Sequence, residues 1–153
     1  PLLRQHWKPL FDKYGVDLAL QGHDHTYGRG TNNEGTGTHV ADIAEGTMYV
    51  VSVSGPKMYI VSDKAKETMT KVGEDIQLYQ IISVDHHSLT FEAKTATGRL
   101  YDAFTIHKDS KGINRIEEAH LPFYNCSRPI LPNQDKPRCW GGSESIEIPE
   151  VLR

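Results

Sequence analysis

Cysteine is scarce in this chain: only Cys126 and Cys139 occur in 153 residues. An even pair in a loop-rich stretch permits a disulfide in an oxidising compartment, and two free thiols fit equally well. Their spacing is not that of a zinc finger. Long apolar runs are missing, since none reaches the ~18 residues that a membrane span needs, and no secretory hydrophobic region is visible. An excess of either charge is missing as well. Seventeen basic and twenty acidic residues leave a formal charge of −3, too balanced to argue for nucleic acid or an anionic membrane as partner. Ser52 and Ser54 lack the Gly-x-Ser-x-Gly frame of a nucleophile elbow. Gly28-Arg29-Gly30 is too short to cradle a phosphate. There is no initiator Met. Pro1 leads straight into a helical pattern, so the chain reads as a piece of a longer protein whose leader, if any, lies upstream.

What is present begins with a helix. Leu3, Trp7, Leu10, Phe11 and Tyr14 recur at helical spacing over residues 2–14. Pro9 should kink this helix or start a second one, and Gly15 suits its end. Val16 to Gln21 reads as a strand whose apolar density predicts burial on both faces. Residues 30–46 are a loop without periodicity, and 47–54 form a second strand closed by Gly55-Pro56. Residues 63–72 read as a polar loop with a helical turn. Three strands at 78–84, 89–95 and 100–107 then alternate as an antiparallel meander, with Asp85-His86-His87-Ser88 as a turn. Five of the eight prolines lie in residues 120–153, so 113–153 reads as a Pro-rich C-terminal tail strapped along the body. The expected fold class is α/β and β-rich: an N-terminal helix, a buried strand, an antiparallel meander and an irregular tail, with residues 1–112 as the domain.

Chemistry concentrates in Gly22-His23-Asp24-His25-Thr26-Tyr27-Gly28-Arg29. Two imidazoles one residue apart at a strand-to-loop junction can address two neighbouring points, and metal ions ~3.5–4 Å apart would each take one. Gly22 would let the chain turn sharply. Asp17 and Asp24 are candidates to hold an imidazole tautomer from behind. Asp24, Tyr27 and Arg29 are candidates either to contact substrate or to support the ligands from behind, Arg29 by pairing with an anion; a plain salt bridge fits Arg29 equally well. Elsewhere, Asp85-His86-His87 is expected to be a turn, His39 surface, His6 packing beside Trp7, and His107 and His120 without evident partners. A surface His-Asp-His without metal is the plain alternative.

From Lys13-Tyr14-Gly15-Val16-Asp17-Leu18 through Gly22-His23-Asp24-His25-Thr26-Tyr27, the chain resembles the last sequence block of the calcineurin-like metallophosphoesterases, on the purple acid phosphatase side. Gly46-Thr47-Met48-Tyr49, Ser54-Gly55-Pro56-Lys57, Tyr79-Gln80, Leu89-Thr90-Phe91 and Leu100 to Ile106 continue the similarity in order over roughly residues 2–108. The resemblance implies a β-sandwich flanked by helices and a site of two transition metals, Fe with Zn, Mn or Fe. His23 and His25 would each ligate one of them, and the metals would polarise a phosphate ester and generate hydroxide for in-line attack. It also implies an extracytoplasmic location, periplasmic or secreted. The family's remaining ligand blocks are not in this sequence. The chain is therefore expected to be the C-terminal part of a catalytic domain, inactive alone and at most a weak binder of one metal ion. A truncated sandwich should also bare apolar surface along strands 16–21 and 47–53, through which copies of the chain could associate. The competing expectation is a non-catalytic β-sandwich binding module with an incidental His pair, which gains if the two imidazoles splay into solvent.

Overall fold

A computed structural model describes residues 2–31, 46–52, 55, 57, 59–74 and 76–121. Helix α1 spans Leu2–Tyr14, followed by strands β1 (Leu18–Gln21), β2 (Tyr27–Thr31) and β3 (Met48–Val51). Helix α2 (Asp63–Thr68) and strand β4 (Lys71–Gly73) lead into β5 (Leu78–Val84), β6 (Ser88–Thr95), β7 (Leu100–Lys108) and β8 (Asn114–Glu118). Pro9 does not divide α1, which is assigned as one helix. Gly15 ends it in the left-handed region at φ 61, where the missing Cβ removes the steric cost.

The strands form two four-stranded sheets, ordered β1-β3-β2-β4 and β5-β6-β7-β8. The first is mixed: β1 runs parallel to β3, and β2 antiparallel to both β3 and β4. The second is the antiparallel meander that the alternation in residues 78–107 predicts, with β8 added at its edge. Tyr27, Met48 and Val50 from the first sheet join Leu78, Phe91, Phe104, Ile106 and Ile116 from the second in one buried cluster. The sheets therefore pack face to face. Phe91 and Phe104 stack at 4.7 Å between ring centroids at its centre. Burying side chains of this size contributes about 1.5–3 kcal/mol each. On the other face of β3, Tyr49 lies 6.0 Å from Phe11 of α1, so the helix touches the outside of the first sheet at this ring pair.

Three sequence expectations change here. The 16–21 strand is not buried on both faces: Leu18 and Ala19 are half-buried and Leu20 is 57% exposed, because β1 has a single neighbour, β3, at the sheet edge. The apolar exposure expected along both strands is confined to β1, since Met48 and Val50 of β3 are each 1% exposed. The irregular tail expected from 113 opens with a regular strand. Asn114–Glu118 pairs along β7 and Ile116 enters the core at 4% exposure.

Candidate metal centre

The His pair sits between β1 and β2, on a segment with no regular structure from Gly22 to Thr26. The turn is taken by His23, whose φ of 79 is in the left-handed region. Gly22, given that part by the sequence, is absent from the positive-φ positions. A left-handed non-glycine residue costs roughly 1–2 kcal/mol, and such costs persist at functional sites. The His23 side chain is 97% exposed, with Nδ1 3.4 Å from Asp24 Oδ1; Asp24 itself is 72% exposed. A pair this exposed contributes little to stability.

His25 is held much more firmly. Its Nδ1 lies 2.7 Å from the carbonyl oxygen of Lys57. A carbonyl can only accept, so Nδ1 must carry the proton and donate. In the neutral imidazole that leaves the lone pair on Nε2, the tautomer a metal ion requires. The Tyr59 backbone N–H donates to His25 O at 2.8 Å, and the Tyr59 ring lies 4.8 Å from the imidazole. One short segment thus grips His25 by its ring nitrogen, its ring face and its backbone.

Tyr27 and Arg29, expected at the substrate or behind the ligands, are 1% and 2% exposed and committed elsewhere. The Tyr27 hydroxyl donates to Asp102 Oδ2 at 2.6 Å. Arg29 donates from Nε and Nη2 to the two oxygens of Asp102, at 2.5 and 3.0 Å. From Nη1 and Nη2 it donates to Glu118 at 2.7 and 2.5 Å. Of the two readings open for Arg29, the structure realises the ion pair. Burial disfavours the Asp102 charge, but the hydrogen bonds and charge of Arg29, with Lys71 and Tyr27, hold its carboxyl below the usual range. Burial likewise opposes the Arg29 charge, and its bonds to Asp102 and Glu118 more than offset this. Burial, then the Asp102 charge, raises the hydroxyls of both Tyr27 and Tyr101, the latter to about 12. The cluster is a clamp between the sheets, tying the strand after the His pair to β7 and β8.

Asp17, expected behind an imidazole, has Lys108 Nζ at 2.7 Å instead. Asp85-His86-His87 is a turn: Asp85 accepts from the backbone of His87 and Ser88 and from the Ser88 hydroxyl. Those bonds hold its carboxyl down to about 2. His107 does have a partner, Glu117 at 3.2 Å. His6 is exposed rather than packed, beside a Trp7 that is itself 53% exposed. His120 is exposed. His39, Cys126 and Cys139 lie outside the described residues. Among the described residues no group of three or more His, Cys, Asp or Glu is placed to hold a metal ion. His23 and His25 thus have no third candidate ligand beside them among the described residues.

No protein-family model matches the chain, and no solved structure is significantly similar to it. Curated proteins are. The chain is 31% identical over 123 residues to "Probable inactive purple acid phosphatase 24" of Arabidopsis thaliana, covering 74% of this chain and 20% of that protein. The same identity and coverage hold for "Probable inactive purple acid phosphatase 1" of the same plant. A "Nucleotide pyrophosphatase/phosphodiesterase" of Hordeum vulgare is 29% identical over 128 residues, 72% of this chain and 32% of its own length. The chain thus spans a fifth to a third of the curated relatives it matches. At 31% identity over about three quarters of its length, the chain is a homologue of one part of the purple acid phosphatase-type metallophosphoesterases.

Proposed function

We propose that this chain contributes the C-terminal ligands of a binuclear metal site in a phosphoester hydrolase, with His23 and His25 each serving one metal ion. The observation that carries the reading is the His25 Nδ1 to Lys57 O hydrogen bond, 2.7 Å long, because it presents Nε2 in the form a metal takes up. The left-handed backbone at His23 adds a second departure from ordinary geometry at the same point. When bound, a pair of transition metals such as Fe with Zn, Mn or Fe polarises the phosphoryl group and acidifies water. The chain's own residues hold and orient. Lys57 O fixes the His25 tautomer, Tyr59 packs its ring, and the Tyr27–Asp102–Arg29 clamp anchors the strand behind both histidines. The remaining ligands come from residues beyond this sequence, so this polypeptide alone has no appreciable turnover. The substrate is a phosphate monoester or related ester, and the site lies in an extracytoplasmic compartment. Among the described residues, no helix is long and apolar enough to cross a membrane.

A second reading, a binding module without catalysis, is favoured by the 97% exposure of His23 and by the absence of a third ligand among the described residues. One experiment separates the two. The full-length protein and its His23→Ala and His25→Ala variants are assayed with p-nitrophenyl phosphate after loading with Fe, Zn or Mn. The expected result is turnover that falls at least ~100-fold in each variant, with metal content reduced by about one ion. Full-length protein that takes up metal without turnover supports the binding module. Strong turnover by residues 1–153 alone would overturn the partial-site reading.

A further inference from the structure

Strand β1 uses one of its two edges. The carbonyl oxygens of Asp17 and Gln21 accept from the backbone N–H groups of Met48 and Ser52, at 2.9 and 3.3 Å. Successive residues of a strand turn their N–H and C=O groups to opposite edges. Asp17, Ala19 and Gln21 therefore face β3, while Leu18 and Leu20 face outward, where no described strand pairs with them. An edge open to water is normally blunted by charge, proline or a bulge. Leu18-Ala19-Leu20-Gln21 has no charge and no proline, its register with β3 is unbroken, and Leu20 is 57% exposed. The opposite edge of the sheet, β4, is different: none of its three residues is exposed, and its Lys71 donates to Tyr101 O and pairs with Asp102.

Helix α1 leads into β1 through residues 15–17. A helix feeding one strand of a parallel pair makes the second half of a crossover, whose first strand lies parallel in the same sheet. β2, β3 and β4 all follow β1 in the chain, so none of them is that first strand. The helix is also only partly covered. Trp7, Leu10, Phe11 and Tyr14 share one face by their spacing. Phe11 meets Tyr49, while Trp7, Leu10 and Tyr14 stay 53%, 45% and 71% exposed. Polypeptide to cover them exists in the relatives, of which the chain spans a fifth to a third.

We propose that the free edge of β1 is paired in the longer protein by a parallel strand of the same polypeptide, from residues preceding Pro1, which also covers Leu20. A second copy of the chain is not the occupant: a two-fold axis sets a strand against its own antiparallel image, whereas a crossover delivers a parallel one. β1 ends at Gln21, so the chain leaving a strand parallel to it emerges beside Gly22 and His23. The proposal shares with the reading above only the premise of a longer protein and needs no metal.

The test is residue-resolved hydrogen exchange on the metal-free full-length protein, with Ala19 and Gln21 as internal references. The Leu18 and Leu20 amides should be protected to within about thirtyfold of those two. Leu20→p-benzoylphenylalanine, irradiated, should crosslink to residues preceding Pro1 in the same chain. Leu18 and Leu20 amides that exchange faster than that limit show a bare edge and overturn the proposal. Adducts between two chains, or protection lost on dilution, give the edge to a second copy and overturn it too, as do adducts to residues after Glu118. Because no metal is present, each of these failures leaves the reading of His23 and His25 standing.

Discussion

At the residue scale, the structure reassigns the cation next to the His pair. Arg29 reads from sequence as a cation behind a metal motif, open to a substrate anion or to a salt bridge, and it sits in the core with Asp102 and Glu118 around its guanidinium. Removing one member of a buried ion network costs about 3–5 kcal/mol, because the partner is left charged and unpaired. Arg29→Ala should therefore lower the unfolding free energy by about that amount in urea titrations. Arg29→Met, which fills the space, should cost less when Asp102 is also changed to Asn. Acid dependence obeys the same logic. The Asp102 carboxyl is lowered in the folded state, so its stabilisation is complete above the ordinary carboxylate value of about 4. It is lost as pH falls through the lowered value. The double variant should show a flatter decline below pH 4 than the parent. A parent and double variant with superimposable acid profiles would mean that Asp102 has no part in the acid response.

At the element scale, the meander was legible and its edge was not. Leu89, Phe91 and Ala93 alternate with Thr90, Glu92 and Lys94, and the structure buries Phe91 and Ala93 as that alternation requires. The helix at 2–14 was legible from its apolar spacing. β2 was hidden because Tyr27-Gly28-Arg29-Gly30-Thr31 carries two glycines; a Cβ at Gly28 would stand 2.6 Å from Met69 Sδ, so that flexible side chain would have to move aside. β8 was hidden by the Pro-rich composition of the residues beyond it. Its alternation of Asn114 and Ile116 inward with Arg115 and Glu117 outward is only five residues long. The His pair was legible as a motif. The grip of Lys57 and Tyr59 on His25 was not, since it joins groups 32 residues apart that no local pattern relates. Because β8 supplies Glu118, ending the chain after residue 112 should lower the thermal midpoint by roughly 10 °C or more, at several kcal/mol and ~4–8 °C per kcal/mol for a domain this size. Ending it after residue 121, which keeps β8, should leave the midpoint well above that of the shorter truncation. Equal midpoints for the two truncations, measured by circular dichroism, would refute the place given to β8.

At the scale of the whole molecule, two sheets share one apolar interior, and a buried polar cluster helps to fasten them. Tyr27 and Arg29 come from the first sheet, Asp102 and Glu118 from the second. The His pair lies just before the strand that carries the first two. What orients the two histidines is thus partly the docking of one sheet on the other, not the local loop alone. The clamp also has a temporal side. Arg29 reaches Asp102 across 73 residues and Glu118 across 89, whereas the meander joins strands adjacent in sequence. Local pairings form early and distant ones late, so the clamp should close after the rate-limiting step of folding. Stopped-flow measurements on Arg29→Ala should then show nearly all of its cost in the unfolding rate, faster by about a hundredfold to several thousandfold, with the refolding rate changed less than about threefold. A refolding rate that slows in step with the lost stability would place the clamp in the nucleus instead. If the clamp closes late, it acts as a kinetic lock: it sets how long the histidines stay presented once the fold is reached, and has little to do with how fast the fold is found.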